Sequence, residues 1–143
     1  MKILLDINVI LDVLLDRESF KEDSLNAMKK AINEGHILYI SASAVTDIFY
    51  VLKKANGKTE AINHLKNLLS ILNVVEVNES CILNALNSKI NDYEDAVVDE
   101  TAVYSSIGLI LTRNIKDFKQ AKTIVMTPSD YLIDGYDGIP SNF

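Results

Sequence analysis

Four aspartates, spread from one end of the chain to the other, sit in contexts suited to chemistry. Asp6 closes the apolar run Ile3–Leu5, and Asn8 follows two residues later. A carboxylate at a strand tip, where the backbone turns into a helix, lies where ligands bind in α/β folds. Asp47 falls in "SASAVTDIFYVLKKA" beside Val45, Ile48, Phe49, Val51 and Leu52. That setting places it near or on a buried face, which is uncommon for Asp unless it is paired or holds a metal. In "DYEDAVVDETAVYSS", Asp95 and Asp99 are four apart and share a helix face, with Asp92 one turn earlier. Like charges at that spacing destabilise a bare helix. "GLILTRNIKDF" repeats the opening pattern: an apolar run ends at Thr112, and Asn114 and Asp117 follow.

Carboxylates without histidine or a nearby cysteine make a hard oxygen site, suited to Mg²⁺ or Mn²⁺. The chemistry such a site favours is attack by water on a phosphodiester, with the metal activating the water and neutralising the departing oxygen. Arg113, Lys116, Lys119 and Lys122 flank the last motif and are placed to hold a phosphate backbone. Each acid also has a plainer reading. Asp95 completes a helix cap with Asp92, Asp99 is solvated, Asp117 caps a turn, and Asp6 serves a turn. Asp12 and Asp16 read as exposed helix residues. Only the joint arrangement points to a site.

Positioning these residues requires strands that end on one edge. Short apolar runs at 3–5, 37–40, 74–77, 109–111 and 123–126 alternate with helical spacing over 8–16, 19–33, 43–55, 59–72, 79–89 and 94–107. A short turn follows Pro128. Apolar runs without polar alternation suit strands covered on both faces, so the pattern predicts an α/β fold. The expected architecture is a three-layer α/β/α sandwich around a parallel sheet of about five strands. In such a sheet every strand C-terminus lies on one edge, which gathers Asp6, Asn8, Thr112, Asn114 and Asp117. Helices starting near Ser43 and Asp92 project Asp47 and Asp95 toward them. Asn56-Gly57 marks a helix end, Asp92 with Asp95 a helix start, and Thr127-Pro128 another.

The length of 143 residues predicts a single domain over 1–143. No apolar stretch approaches the ~18 residues of a membrane span, and no signal peptide is visible, so a cytoplasmic protein without membrane contact is expected. The lone Cys81, in "ESCILNAL" at helical spacing, reads as packing, and His36 and His64 as ordinary loop or surface residues. The net charge of −6 argues against bulk electrostatic binding of nucleic acid, though assigning four acids to a metal site leaves −2. Helix 59–72, "TEAINHLKNLLSIL", carries more apolar residues than one core-facing stripe needs, which predicts a homodimer.

These segments together resemble the PIN domain family, from "KILLDINVILDVLLDR" through "ASAVTDIFYVL" and "DYEDAVVDETA" to "LILTRNIKDF". The resemblance covers nearly the whole chain. It implies metal ligands at Asp6, Asp47, Asp95 and Asp117, support from Asn8, Thr112 and Asn114, and a supporting or additional ligand at Asp99. Two positions depart from the family pattern: Ile7 stands where Thr or Ser is usual, and Asp47 where Glu is more usual. The implied activity is metal-dependent cleavage of single-stranded RNA, often by a dimer, and in small bacterial members as the toxin of a toxin–antitoxin pair with an antitoxin partner. A catalytically silent PIN-like protein that binds RNA or protein is the alternative. A phospho-acceptor or phosphatase domain built on Asp6 explains neither Asp47 nor "TRNIKDF".

Overall fold

The computed structural model describes residues 1–135; the single domain expected over 1–143 therefore extends into residues 136–143, which lie outside the described part. Five parallel strands form the sheet: β1 (Lys2–Leu5), β2 (Ile37–Ser41), β3 (Asn73–Val75), β4 (Leu109–Leu111) and β5 (Val125–Met126). Their spatial order is β3-β2-β1-β4-β5. The chain steps outward from β1 in one direction and then returns to its other side at β4. The switch point at the C-terminal ends of β1 and β4 is where an open α/β sheet leaves a crevice.

Alternation along the strands supplies the two cores. Ile3 and Leu5 of β1, with Leu109 and Leu111 of β4, face one layer. That layer holds α1 (Ile7–Leu14), α2 (Lys21–Asn33), α3 (Ala42–Asn56), α4 (Lys58–Leu69) and α7 (Pro128–Asp134). Leu4 and Ile110 face the opposite core, built with Ala85 from α5 (Glu79–Ala85), with Ala96, Val97 and Ala102 from α6 (Tyr93–Tyr104), and with Phe118 from a 3₁₀ turn, Ile115–Phe118. The three-layer parallel architecture expected from the sequence is what forms.

The local signals act as anticipated. Gly57, at φ 88°, closes α3 in a backbone region that disfavours side chains. Asp92 caps α6 by accepting from the Asp95 amide at 3.1 Å, and Thr127 caps α7 with Pro128 in its first turn. Boundaries differ where packing overrides periodicity. α1 stops at Leu14 because Asp16 turns to φ 54°, and α5 ends at Ala85, short of residue 89. Cys81 is buried, with its thiol toward the Glu100 carbonyl. His64 lies on the α4 surface beside Glu60, and His36 is half-buried between the N-terminal amine and Glu34.

Candidate active site

Asp6 is the N-cap of α1, and its Oδ1 accepts from the Ile7 amide at 2.9 Å. The backbone supplies that bond, so the absence of a hydroxyl at position 7 does not leave Oδ1 unheld. Oδ2 accepts from Thr112 Oγ1 at 2.7 Å and from Asn8 Nδ2 at 3.0 Å. This pairing follows from register: Leu5 lies opposite Leu111, so the next residues of the two strands meet. Asn8 Oδ1 then accepts from the Arg113 amide, and Thr112 Oγ1 accepts from the Asn114 amide. Asn8 and Thr112 thus act through their side chains, whereas Asn114 acts through its backbone. Burial raises the Asp6 carboxyl above its ordinary range, although the bonds from Thr112, Ile7 and Asn8 oppose the rise.

Asp95, half-buried in the first turn of α6, is pushed up to about 7. Burial is the largest cause, followed by the negative charges of Asp6, Asp92, Asp117 and Glu94. The acids of β1, α6 and the 3₁₀ turn therefore share one electrostatic neighbourhood. Asp117 is exposed and lines a cleft of about 240 Å³ with Asp92 and Lys116.

Asp47 sits differently from its sequence expectation. α3 buries Ile48 and Leu52, while Asp47 is exposed on the rim of a cavity that also touches Asp6 and Asp95. Its apolar neighbours occupy the core face of α3, and position 47 falls beside it. Asp99 is buried, and its two oxygens accept from the amides of Lys122 and Thr123 at 2.9 and 3.0 Å. It anchors the segment leading into β5, and the expected ligand role gains nothing from that placement. Arg113 is likewise committed. Its Nε donates to Asp12 Oδ2 at 2.6 Å, and its guanidinium stacks 4.1 Å from the centre of the Phe20 ring. Lys122 binds the buried Glu100, whereas Lys116 stays exposed beside Asp117.

Asp12, expected at the surface, is fully buried and bridges Arg113 and Arg17. The signal was present in "NVILDVLL": apolar residues surround Asp12 on nearly all sides, leaving α1 no polar face. The sequence reading also passed over Ser41, Ser43, Tyr93 and Glu94 as site residues, although all four line the cavity beside Asp6 and Asp95. Their proximity depends on α3, on one face of the sheet, and α5 and α6, on the other, both reaching the edge where β1 and β2 end.

Among the described residues, no Asp, Glu, His and Cys side chains form a preassembled cage of three or more metal ligands. The donor set fits an open site instead. Mg²⁺ keeps several waters and takes one or two carboxylates together with substrate phosphate. A divalent cation would also discharge the repulsion that raises the proton affinity of Asp95.

A PIN domain family model matches residues 2–116. Ribonuclease VapC1 of Aquifex aeolicus is 27% identical over 135 residues, spanning 91% of this chain and 92% of the relative. Similar solved structures include VapBC2 of Rickettsia felis bound to a promoter DNA fragment, with a TM-score of 0.72 at 18% identity over 89% of this chain and 98% of that one. FitAcB of Neisseria gonorrhoeae superposes with a TM-score of 0.67 at 23% identity over 89% and 98%. At these identities the structures attest the fold.

Proposed function

Because the chain belongs to the PIN domain family, we propose that it is a metal-dependent endoribonuclease that hydrolyses single-stranded RNA. The observation that carries this reading is that Asp6, Asp47 and Asp95, carried by three separate elements, line one cavity at the C-terminal ends of β1 and β2. Asp6 and Asp95 serve as the principal ligands of one or two Mg²⁺ or Mn²⁺ ions, with Asp47 and Asp117 completing the site and orienting water. When bound, the ion supplies Lewis-acid activation of water and neutralises charge at the scissile phosphate. Thr112 and Asn8 hold the Asp6 carboxylate in place. Lys116, exposed with Lys89 and Lys119 in the cleft beside Asp117, supplies a cation for the RNA backbone. Hydrolysis by activated water leaves a 5′-phosphate and a 3′-hydroxyl.

The named relative is a ribonuclease, and a toxin–antitoxin complex from Klebsiella pneumoniae shares the fold with a TM-score of 0.65 at 22% identity, which supports a toxin role with an antitoxin partner. A homodimer is the proposed assembly. No described helix is long and apolar enough to cross a membrane. Incubation with single-stranded RNA and Mn²⁺ or Mg²⁺ is expected to give cleavage that EDTA abolishes. Metal-independent cleavage leaving a cyclic phosphate would overturn the mechanism, since that product comes from attack by the 2′-hydroxyl. RNA binding without cleavage at any metal concentration would leave the silent alternative.

A further inference from the structure

The acidic site opens into a cavity of about 250 Å³ whose lining includes Asp6, Asp47 and Asp95. Its remaining wall is largely apolar, formed by Ile82 of α5 and by Tyr93, Val97 and Val98 of α6. The Tyr93 hydroxyl donates to the Ile82 carbonyl at 2.9 Å, which fixes the phenol between the two helices. Tyr93 nevertheless remains 42% exposed. A pinned, half-open aromatic next to a phosphate-processing site is a stacking platform whose ordering entropy has already been spent. The rim is of opposite character. Glu94, outside the proposed ligand set, presents a carboxylate in addition to those of the site, and Ser43 an exposed hydroxyl. Those carboxylates repel a second phosphate, so the part of a nucleotide that suits the cavity is its neutral base. Carboxylates accept hydrogen bonds and do not donate them. A base edge turned toward them must therefore present N–H: an exocyclic amino group offers two, whereas the single N3–H of uracil lies between two carbonyl oxygens that the same carboxylates repel.

We propose that this cavity is a nucleobase subsite, taking one unpaired amino-bearing base from the nucleotide adjoining the scissile phosphate, with Tyr93 as its stacking platform. The assignment rests on the ribonuclease reading for its substrate, but its test does not need catalysis. Adenosine, cytidine, uridine and free ribose, all uncharged and without phosphate, are titrated into the full chain in EDTA and followed by NMR at the Tyr93 ring and the Ile82 and Val98 methyls. Adenosine and cytidine are expected to shift these signals, uridine to bind at least fivefold more weakly, and ribose to have no effect. Tyr93→Phe, which keeps the ring, is expected to retain binding. Tyr93→Leu, which keeps apolar bulk without a stacking face, is expected to weaken it roughly five- to a hundredfold. Equal binding of uridine would overturn the amino preference. Absence of shifts with every nucleoside would overturn the subsite and leave the cavity to a protein side chain. Nucleoside binding without any RNA cleavage would count against the ribonuclease reading alone.

Discussion

Asp95 and Asp12 show how differently a carboxylate behaves with and without a cation beside it. Asp95 is held among acids, and its pKa rises from 3.8 to about 7. The folded state thus binds its proton more tightly than the unfolded chain. The resulting penalty is absent below about pH 4, grows as pH rises, and is fully present above about pH 7. Asp95→Asn removes the charge while keeping the backbone amide that Asp92 caps. In EDTA at pH 8 the variant is expected to melt at or above wild type, with the difference shrinking by pH 5, and to cleave no RNA. Excess Mn²⁺ should stabilise wild type, by about 2.7 kcal/mol at 100 times the dissociation constant, and the variant much less. A variant melting well below wild type in EDTA at pH 8 would make Asp95 a structural cap. Asp12 is the opposite case, fully buried between two arginines. Asp12→Ala strands a guanidinium that is itself three-quarters covered, and is expected to destabilise the fold by roughly 2–4 kcal/mol in urea titrations.

Elements carry the acids to their places, and the same residue type does different work on each. Asp6 caps α1 while facing the crevice. Asn caps helices about as well as Asp. Asp6→Asn keeps the cap at the Ile7 amide but turns its own NH₂ toward Asn8 Nδ2, so it is expected to cost about 1–3 kcal/mol while abolishing cleavage, which urea titrations and an RNA assay read separately. Asp99 is an anchor, because its carboxylate satisfies the amides of Lys122 and Thr123 ahead of β5. Asp99→Ala leaves those amides without their partner, at an expected cost of about 1–3 kcal/mol. It should speed hydrogen exchange at Lys122 and Thr123 yet preserve the thermal shift given by Mn²⁺. Loss of the Mn²⁺ response, with unchanged exchange, would restore Asp99 to the ligand set.

At the scale of the molecule, apolar side chains left uncovered by the two cores bear on assembly. α4 buries Ala61 and Leu68 and leaves Leu69 37% exposed, with Ile71 just beyond it at 55%. The excess noted in "TEAINHLKNLLSIL" is thus partly absorbed, since Leu72 is buried as well. The surplus that remains supports a homodimer. Light scattering at micromolar concentration is expected to give twice the chain mass, and Leu69→Glu to shift it toward the monomer. A monomeric mass for wild type would remove the dimer.

What the sequence determined by itself is what short-range patterns encode. Apolar runs of strand length between helical spacings specify a parallel sheet, and Gly57, Asp92 and Thr127 punctuate it through their own backbone and side-chain chemistry. Because parallel strands all end on one edge, the sequence assigns Asp6 and Thr112 to the same edge, and the pairing of β1 with β4 makes them neighbours. Tertiary structure alone decided which charges meet. Whether Asp12 is buried depends on Arg113, about a hundred residues away, and whether Asp99 faces a metal or two amides depends on the path of the chain into β5. Asp47 stands one step around α3 from the core face, a rotation that periodicity resolves only to within a residue. The cavity at Tyr93 is lined by α3 from one face of the sheet and by α5 and α6 from the other, where β1 and β2 end, and no local pattern records that arrangement.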